Sequence, residues 1–131
     1  MRVVFDTNIF ISALVIPGSQ AEKALLGILD GTDTLLISKP ILDELLSTLA
    51  RKFSRDSEAL SQVAVMMADI AELVRPKNTV TVFKDDPDNR ILECAESGQA
   101  DVIVTGDKEM LLLKQYQGIP LMSLRDYLAG K

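Results

Sequence analysis

From Asp86 to Asp107 the chain runs DPDNRILECAESGQADVIVTGD, and the order of its parts sets the architecture. Asp86-Pro87 is a helix opening, a short polar cap followed by a proline in the first turn, and the pattern continues to about Gly98. Val102-Ile103-Val104 is a run of three β-branched residues, as expected of a buried strand. Thr105-Gly106-Asp107 closes it with an acid. Two further apolar runs, Val3 to Phe5 and Leu35 to Ile37, read the same way, and Leu121-Met122 is a fourth, with Pro120 suited to an edge strand. Helical patterns fill the intervals. Ala21 to Leu29 stops before Gly31, and Ser38-Lys39-Pro40 caps a helix reaching about Lys52. Ser57 to about Leu73 carries an apolar stripe of Leu60, Val63, Met67, Ile70 and Val74, widened by Val65, Met66 and Leu73. Lys108 to Tyr116 and Ser123 to Leu128 complete the set. Strands apolar on both faces, alternating with helices, predict an α/β fold: a three-layer α/β/α arrangement, Rossmann-like, around a central parallel sheet of four to five strands. A single domain over residues 1–131 is expected.

Composition narrows the chemistry. With 47% apolar and 25% charged residues the chain can bury a sizeable core. Fourteen Lys and Arg against nineteen Asp and Glu leave a net charge of −5, and there is no histidine. That excludes a Ser-His-Asp triad, a Cys-His pair, a histidine general base and His-ligated zinc. One cysteine, Cys94, permits neither an intramolecular disulfide nor a cysteine metal cluster; it reads as a small core side chain in a reducing cytoplasm. An acid at residue 6 interrupts any secretory hydrophobic stretch, and no apolar run approaches the ~18 residues of a membrane span, so no membrane association is expected. The glycine-rich phosphate-binding motifs of dinucleotide and P-loop proteins are absent.

Ligands of parallel sheets bind at the carboxyl ends of the strands. Asp6 follows the first strand and Asp107 the Val102 strand; either carboxylate could also serve simply as a helix cap. Asp88 is less ordinary. At 100° per residue, Ile91, Leu92 and Ala95 lie within about 60° of it, so an acid sits centred on an apolar face, whereas Arg90, Glu93 and Glu96 fall outside that face as solvated charges. A charge so placed needs a cation or hydrogen bonds. Asp43 and Glu44 both flank an apolar stripe, and periodicity does not choose between them. Acids gathered at one sheet edge without histidine suit a hard, oxygen-seeking divalent cation. Such an ion lowers the pKa of bound water and stabilises the attacking and leaving oxygens of an in-line phosphoryl displacement, which removes the need for a histidine base.

Four segments in this order and spacing, RVVFDTNIFISAL, SKPILDELLSTLARKF, DDPDNRILECAESGQADVIVTGDKEMLLL and YQGIPLMSLRDYL, resemble the PIN-domain family, and in particular its VapC-like ribonuclease toxins of toxin–antitoxin pairs. The resemblance spans essentially the whole chain. It implies that the family's acidic quartet falls on Asp6, Glu44, Asp88 and Asp107 as catalytic, metal-holding residues; Asp88 is the match because Ile91 and Ala95 follow it at the family's spacing. Thr7, Asn8 and Thr105 match polar positions that orient the carboxylates, and Glu109 a frequently acidic position that assists metal binding. The implied activity is Mg²⁺- or Mn²⁺-dependent hydrolysis of phosphodiester bonds in single-stranded RNA, with an antitoxin protein and a second copy of the chain as partners. A PIN-like RNA- or protein-binding module with vestigial or unused nuclease activity is the alternative reading. Basic residues for RNA are few: Arg51, Lys52 and Arg55 cluster at one helix end, and Lys39, Lys108 and Arg90 are candidates for a rim. The broad stripe around Met66 and Met67 is a candidate protein contact as well as core.

Overall fold

The computed structural model describes all 131 residues, and strands alternate with helices along it. Strand β1 (Arg2–Phe5) leads into α1 (Thr7–Val15) and α2 (Gln20–Leu29), and β2 (Thr34–Ser38) into α3 (Lys39–Phe53) and α4 (Ser57–Ile70). After β3 (Ala71–Val74) come α5 (Asp86–Gly98), β4 (Val102–Val104), α6 (Lys108–Leu113), the hairpin strands β5 (Gln115–Tyr116) and β6 (Ile119–Met122), and α7 (Leu124–Ala129). The sheet order is β3-β2-β1-β4-β6-β5. Its first five strands run parallel, which meets the expected architecture, and β5 adds a two-residue antiparallel edge. Along β1, β2 and β4 consecutive residues are buried, as happens only when helices cover both faces of the sheet. No single helix is long and apolar enough to cross a membrane.

The chain builds outward from β1 through β2 to β3, then returns to place β4 on the other side of β1. β1 and β4 therefore flank the point where the winding reverses, and a crevice opens there at their carboxyl ends. Register is tight at this junction: Phe5 faces Val104, and the Asp6 amide continues the ladder by donating to the Val104 carbonyl at 2.9 Å.

Three elements differ from expectation. The helix from Ser57 ends at Ile70, and Ala71–Val74 pairs along β2 as an edge strand, with Leu73 exposed and Val74 buried. Helix passes to strand without a loop there, so neither glycine nor proline marks the boundary. The helix from Lys108 ends at Leu113, where Lys114 takes a positive φ of 66°, and Gln117 and Gly118, also at positive φ (52° and 78°), then turn β5 back onto β6. Such a turn usually announces itself as Asn-Gly or Asp-Gly, and Gln-Gly disguises it. Pro120 lies on β6, one strand in from the edge; the ladder to β4 starts only at Leu121, so its missing amide leaves no gap there.

Helix α5 packs close against the sheet at its last residue. A Cβ at Gly98 would stand 2.9 Å from Leu36 Cδ1 and 2.9 Å from Val74 Cγ2, both buried side chains. The Gly98 carbonyl meanwhile accepts from Arg2 Nη2 and Nε at 2.9 and 3.1 Å, tying the end of α5 to the start of β1. Gly98→Val is expected to lose about 2–3 kcal/mol in urea unfolding by overpacking this contact. An unchanged unfolding midpoint would show that helix and sheet can separate there without cost.

Candidate active site

The crevice at the β1–β4 switch point is lined by Asp6, Thr7, Asn8, Glu44, Thr48, Arg51, Lys52, Asp85, Pro87, Asp88, Ile91 and Asp107, around a volume of about 180 Å³. All four acids singled out in the sequence meet here, brought from β1, α3, α5 and the loop after β4.

Asp6 both caps a helix and lines the crevice. It is 5% exposed, caps α1 by accepting from the Asn8 amide at 2.9 Å, and accepts from the Thr105 hydroxyl at 2.7 Å. The fully buried Thr105 hydroxyl in turn accepts from the Asp107 amide at 3.0 Å, so one side chain fixes both strand ends. Asp107 caps α6, accepting from the amides of Glu109 at 2.8 Å and Met110 at 3.3 Å. On α3 the choice between neighbours is resolved: Glu44 faces the crevice, with the Thr48 hydroxyl 3.4 Å from its Oε1, while exposed Asp43 pairs with Lys39 at 2.8 Å. Glu44, Thr48 and Arg51 recur at helical spacing, which turns one face of α3 toward the crevice.

Asp88 is 9% exposed and has neither a hydrogen-bond donor nor a cation on its carboxylate. Burial, followed by the charges of Asp85, Asp107, Asp6 and Glu109, pushes its pKa up to about 7. Asp6 is also raised, chiefly by burial, against the opposing hydrogen bonds from Thr105 and Asn8. Glu109 acts on Asp88 by charge and does not line the crevice. Of the basic residues, Arg51 and Lys52 stand in the wall. Lys39 is held by Asp43, and Arg55 donates to the Leu14 carbonyl at 3.4 Å.

The cap of α5 is Asp85, one residue ahead of the expected Asp86, and Asp85 is the site residue that periodicity missed. It precedes the helix, where a wheel gives no information. Arg90 and Glu93 also depart from the solvated placement expected of them. Glu93 is buried, pairs with Arg90 at 2.8 Å and accepts from the Val80 amide at 2.8 Å. Beside it, buried Asn89 accepts from the amides of Val82 and Phe83 at 3.0 and 2.7 Å and donates to the Phe83 carbonyl at 2.8 Å. The irregular segment before α5 thus covers a helix flank that a wheel leaves to solvent. Cys94 is buried as expected, its thiol pushed up to about 12 by burial.

Five carboxylates against two cations leave the crevice strongly negative, and Asp88 has no compensating partner within the chain. As the side chains stand, no three of them surround one point closely enough to cage an ion. A small hard cation that keeps several waters needs only one or two direct carboxylates, so the donor set fits such an ion.

A family model for the PIN domain matches residues 2–109. An uncharacterised protein of Methanocaldococcus jannaschii is 30% identical over 118 residues, a match covering 87% of this chain and 76% of that protein. The fold is similar to VapBC2 from Rickettsia felis bound to a DNA fragment from their promoter, with a TM-score of 0.68 at 19% identity over 94% of this chain and 98% of that one. It is equally similar to VapBC-1 from nontypeable Haemophilus influenzae, with a TM-score of 0.68 at 17% identity over 95% and 99% of the two chains.

The electrostatics of Asp88 are testable without substrate. Its pKa is raised from the ordinary 3.8 to about 7 on folding, so the folded state holds the proton more tightly. The associated stability is present in full below the ordinary value and is lost as pH rises through about 7. In EDTA at pH 8, Asp88→Asn is expected to melt about 3–5 °C above the wild type, with the gap shrinking toward pH 5. A gap that does not depend on pH would refute the assignment.

Proposed function

The chain belongs to the PIN-domain family, and from that premise we propose that it is a Mg²⁺- or Mn²⁺-dependent endoribonuclease acting on single-stranded RNA, the toxin component of a toxin–antitoxin pair. The observation that carries the reading is the Asp88 carboxylate, nearly buried beside Asp6, Asp85 and Asp107 and without a partner. A bound divalent ion supplies Lewis acidity there, lowering the pKa of water and offsetting charge at a phosphodiester. Asp6, Glu44, Asp88 and Asp107 are the residues assigned to hold it.

The remaining work falls to the chain. Thr105 and the Asn8 amide keep Asp6 in one orientation, and Thr48 does the same for Glu44. Arg51 and Lys52, in the wall beside the acids, meet the non-bridging oxygens of the phosphodiester and draw RNA toward a crevice that would otherwise repel it. Thr7 and Asn8 offer short polar side chains at the crevice, and Glu109 sets the charge around Asp88. At about 180 Å³ the crevice is smaller than the ~300 Å³ at which pockets begin to enclose a whole small molecule. It takes the phosphodiester and leaves the bases outside, so recognition rests on the backbone and on single-strandedness. In this reading the partners are RNA, an antitoxin protein and a second copy of the chain, and the cell compartment is the cytoplasm. The exposed side of α4 around Val65 and Met66 supplies apolar surface for protein contact. The resemblance to VapC-like toxins and the similarity to VapBC structures support the antitoxin.

The test is cleavage of a labelled single-stranded RNA pool with Mn²⁺, Mg²⁺ or EDTA. Cleavage is expected with either metal and not in EDTA, and is expected to fall more than about 100-fold in Asp6→Asn and in Asp88→Asn. No cleavage by folded protein over a wide range of RNAs would favour the binding-module alternative, and cleavage unchanged in Asp88→Asn would exclude the carboxylate site. Separately, Arg51→Ala and Lys52→Ala are each expected to lower the slope of log affinity against log salt by about 0.7 without shifting cleavage position.

A further inference from the structure

We propose that Asp85 is a fifth carboxylate of the divalent-cation site and contacts the ion directly, an inference that rests on the metal-dependent reading above. Asp85 occupies the cap position of α5, yet its side chain makes no capping hydrogen bond. The reason is local. A cap side chain accepts from the second or third helical amide. Here the second helical residue is Pro87, which has no amide hydrogen, and the third amide, on Asp88, already donates to the Asp85 carbonyl at 3.1 Å. The other helices are capped by Asp6, Ser19, Ser38, Asp56, Asp107 and Ser123, and each of those side chains accepts an amide hydrogen. In α3, where Pro40 stands at the same position, Ser38 still caps through the Ile41 amide; in α5 the missing Pro87 amide and the engaged Asp88 amide together leave the Asp85 carboxylate without helical work.

The backbone that carries it is held in place. The Asp85 carbonyl accepts from Asn89 as well, at 3.4 Å, and the buried Asn89 side chain fixes Val82 and Phe83 just upstream. The backbone is pinned on both sides of a residue whose own side chain has no bond and lines the crevice. Independent of Asp85, the crevice contains Asp88, 91% buried and unpartnered, an anion that calls for a positive ligand. The Asp85 charge acts on Asp88 more strongly than any other charge and also acts on Asp6. A cation that relieves Asp88 therefore lies within reach of the field of Asp85.

The experiment is Mn²⁺ binding to the full chain without RNA, read from the electron paramagnetic resonance of free Mn²⁺, for wild type, Asp85→Asn, Asp86→Asn and Asp88→Asn. Asp86 is the control, carrying the same charge one residue on but lying outside the crevice. Asp85→Asn is expected to weaken Mn²⁺ affinity at least about ten-fold and Asp86→Asn less than about two-fold. The difference is expected to persist in about 1 M salt, where the Debye length is about 3 Å and through-space attraction is screened. Equal effects of Asp85→Asn and Asp86→Asn would overturn the proposal while leaving the metal site intact, provided Asp88→Asn still abolishes binding. A difference that vanishes at high salt would also overturn it, reducing Asp85 to a distant charge. Absence of Mn²⁺ binding by the wild type would remove both this proposal and the reading beneath it. Melting in EDTA reports folding, and Asp85→Asn is expected to melt at or above the wild type because its carboxylate holds nothing in place.

Discussion

The hydrogen bond from the Thr105 hydroxyl to Asp6, 2.7 Å long and sealed from solvent, joins the ends of two strands that meet only because the winding reverses between them. The same oxygen accepts from the Asp107 amide, so the acid ending β1 and the acid ending β4 share one buried pivot. A one-residue slip between β1 and β4 would turn Asp6 to the opposite face and break this link along with the Asp6–Val104 ladder bond. The core residues of the two strands enforce the register, and the crevice inherits its shape from them. Apolar packing in the sheet is what orients polar groups at its edge.

Helix α5 carries the second constraint. It presses on β2 and β3 at Gly98, is tied to β1 through Arg2, and presents Asp88 at its other end. Between these ends, Asn89 and Glu93 hold the irregular segment that precedes the helix. An acid that is costly to bury is therefore held by a helix anchored along its whole length, the kind of support a strained polar site requires.

Much of this was written in local chemistry. The strands at Val3, Leu35 and Val102 stand out because unbroken apolar runs belong to sheets covered on both faces, and Asp88 stands out because helical geometry makes an acid on an apolar face conspicuous. Asp6 and Asp107 follow from strand ends. Glu44 did not separate from Asp43 by pattern, since both flank the stripe; the α3 crossing settles which one faces inward. The boundary at Ile70 and the turn at Gln117 were hidden because nothing in their own residue types marks them. Asp85, Asn89 and Glu93 were hidden for another reason. Their surroundings come from a segment with no periodicity, and a wheel drawn for α5 alone has no knowledge of what lies across it.

The Thr105 pivot has a consequence in time as well as in space. Asp6 and Glu44 are made before β4, but the crevice requires β4, which is itself flanked by β6, where the Met122 carbonyl accepts the Thr105 amide at 3.0 Å. An unfinished chain therefore carries its early acids without the partner that aligns them. The carboxylates become a site only once the chain has been made through β6 and β4 has packed beside β1, so the crevice is assembled well after the acids that begin it.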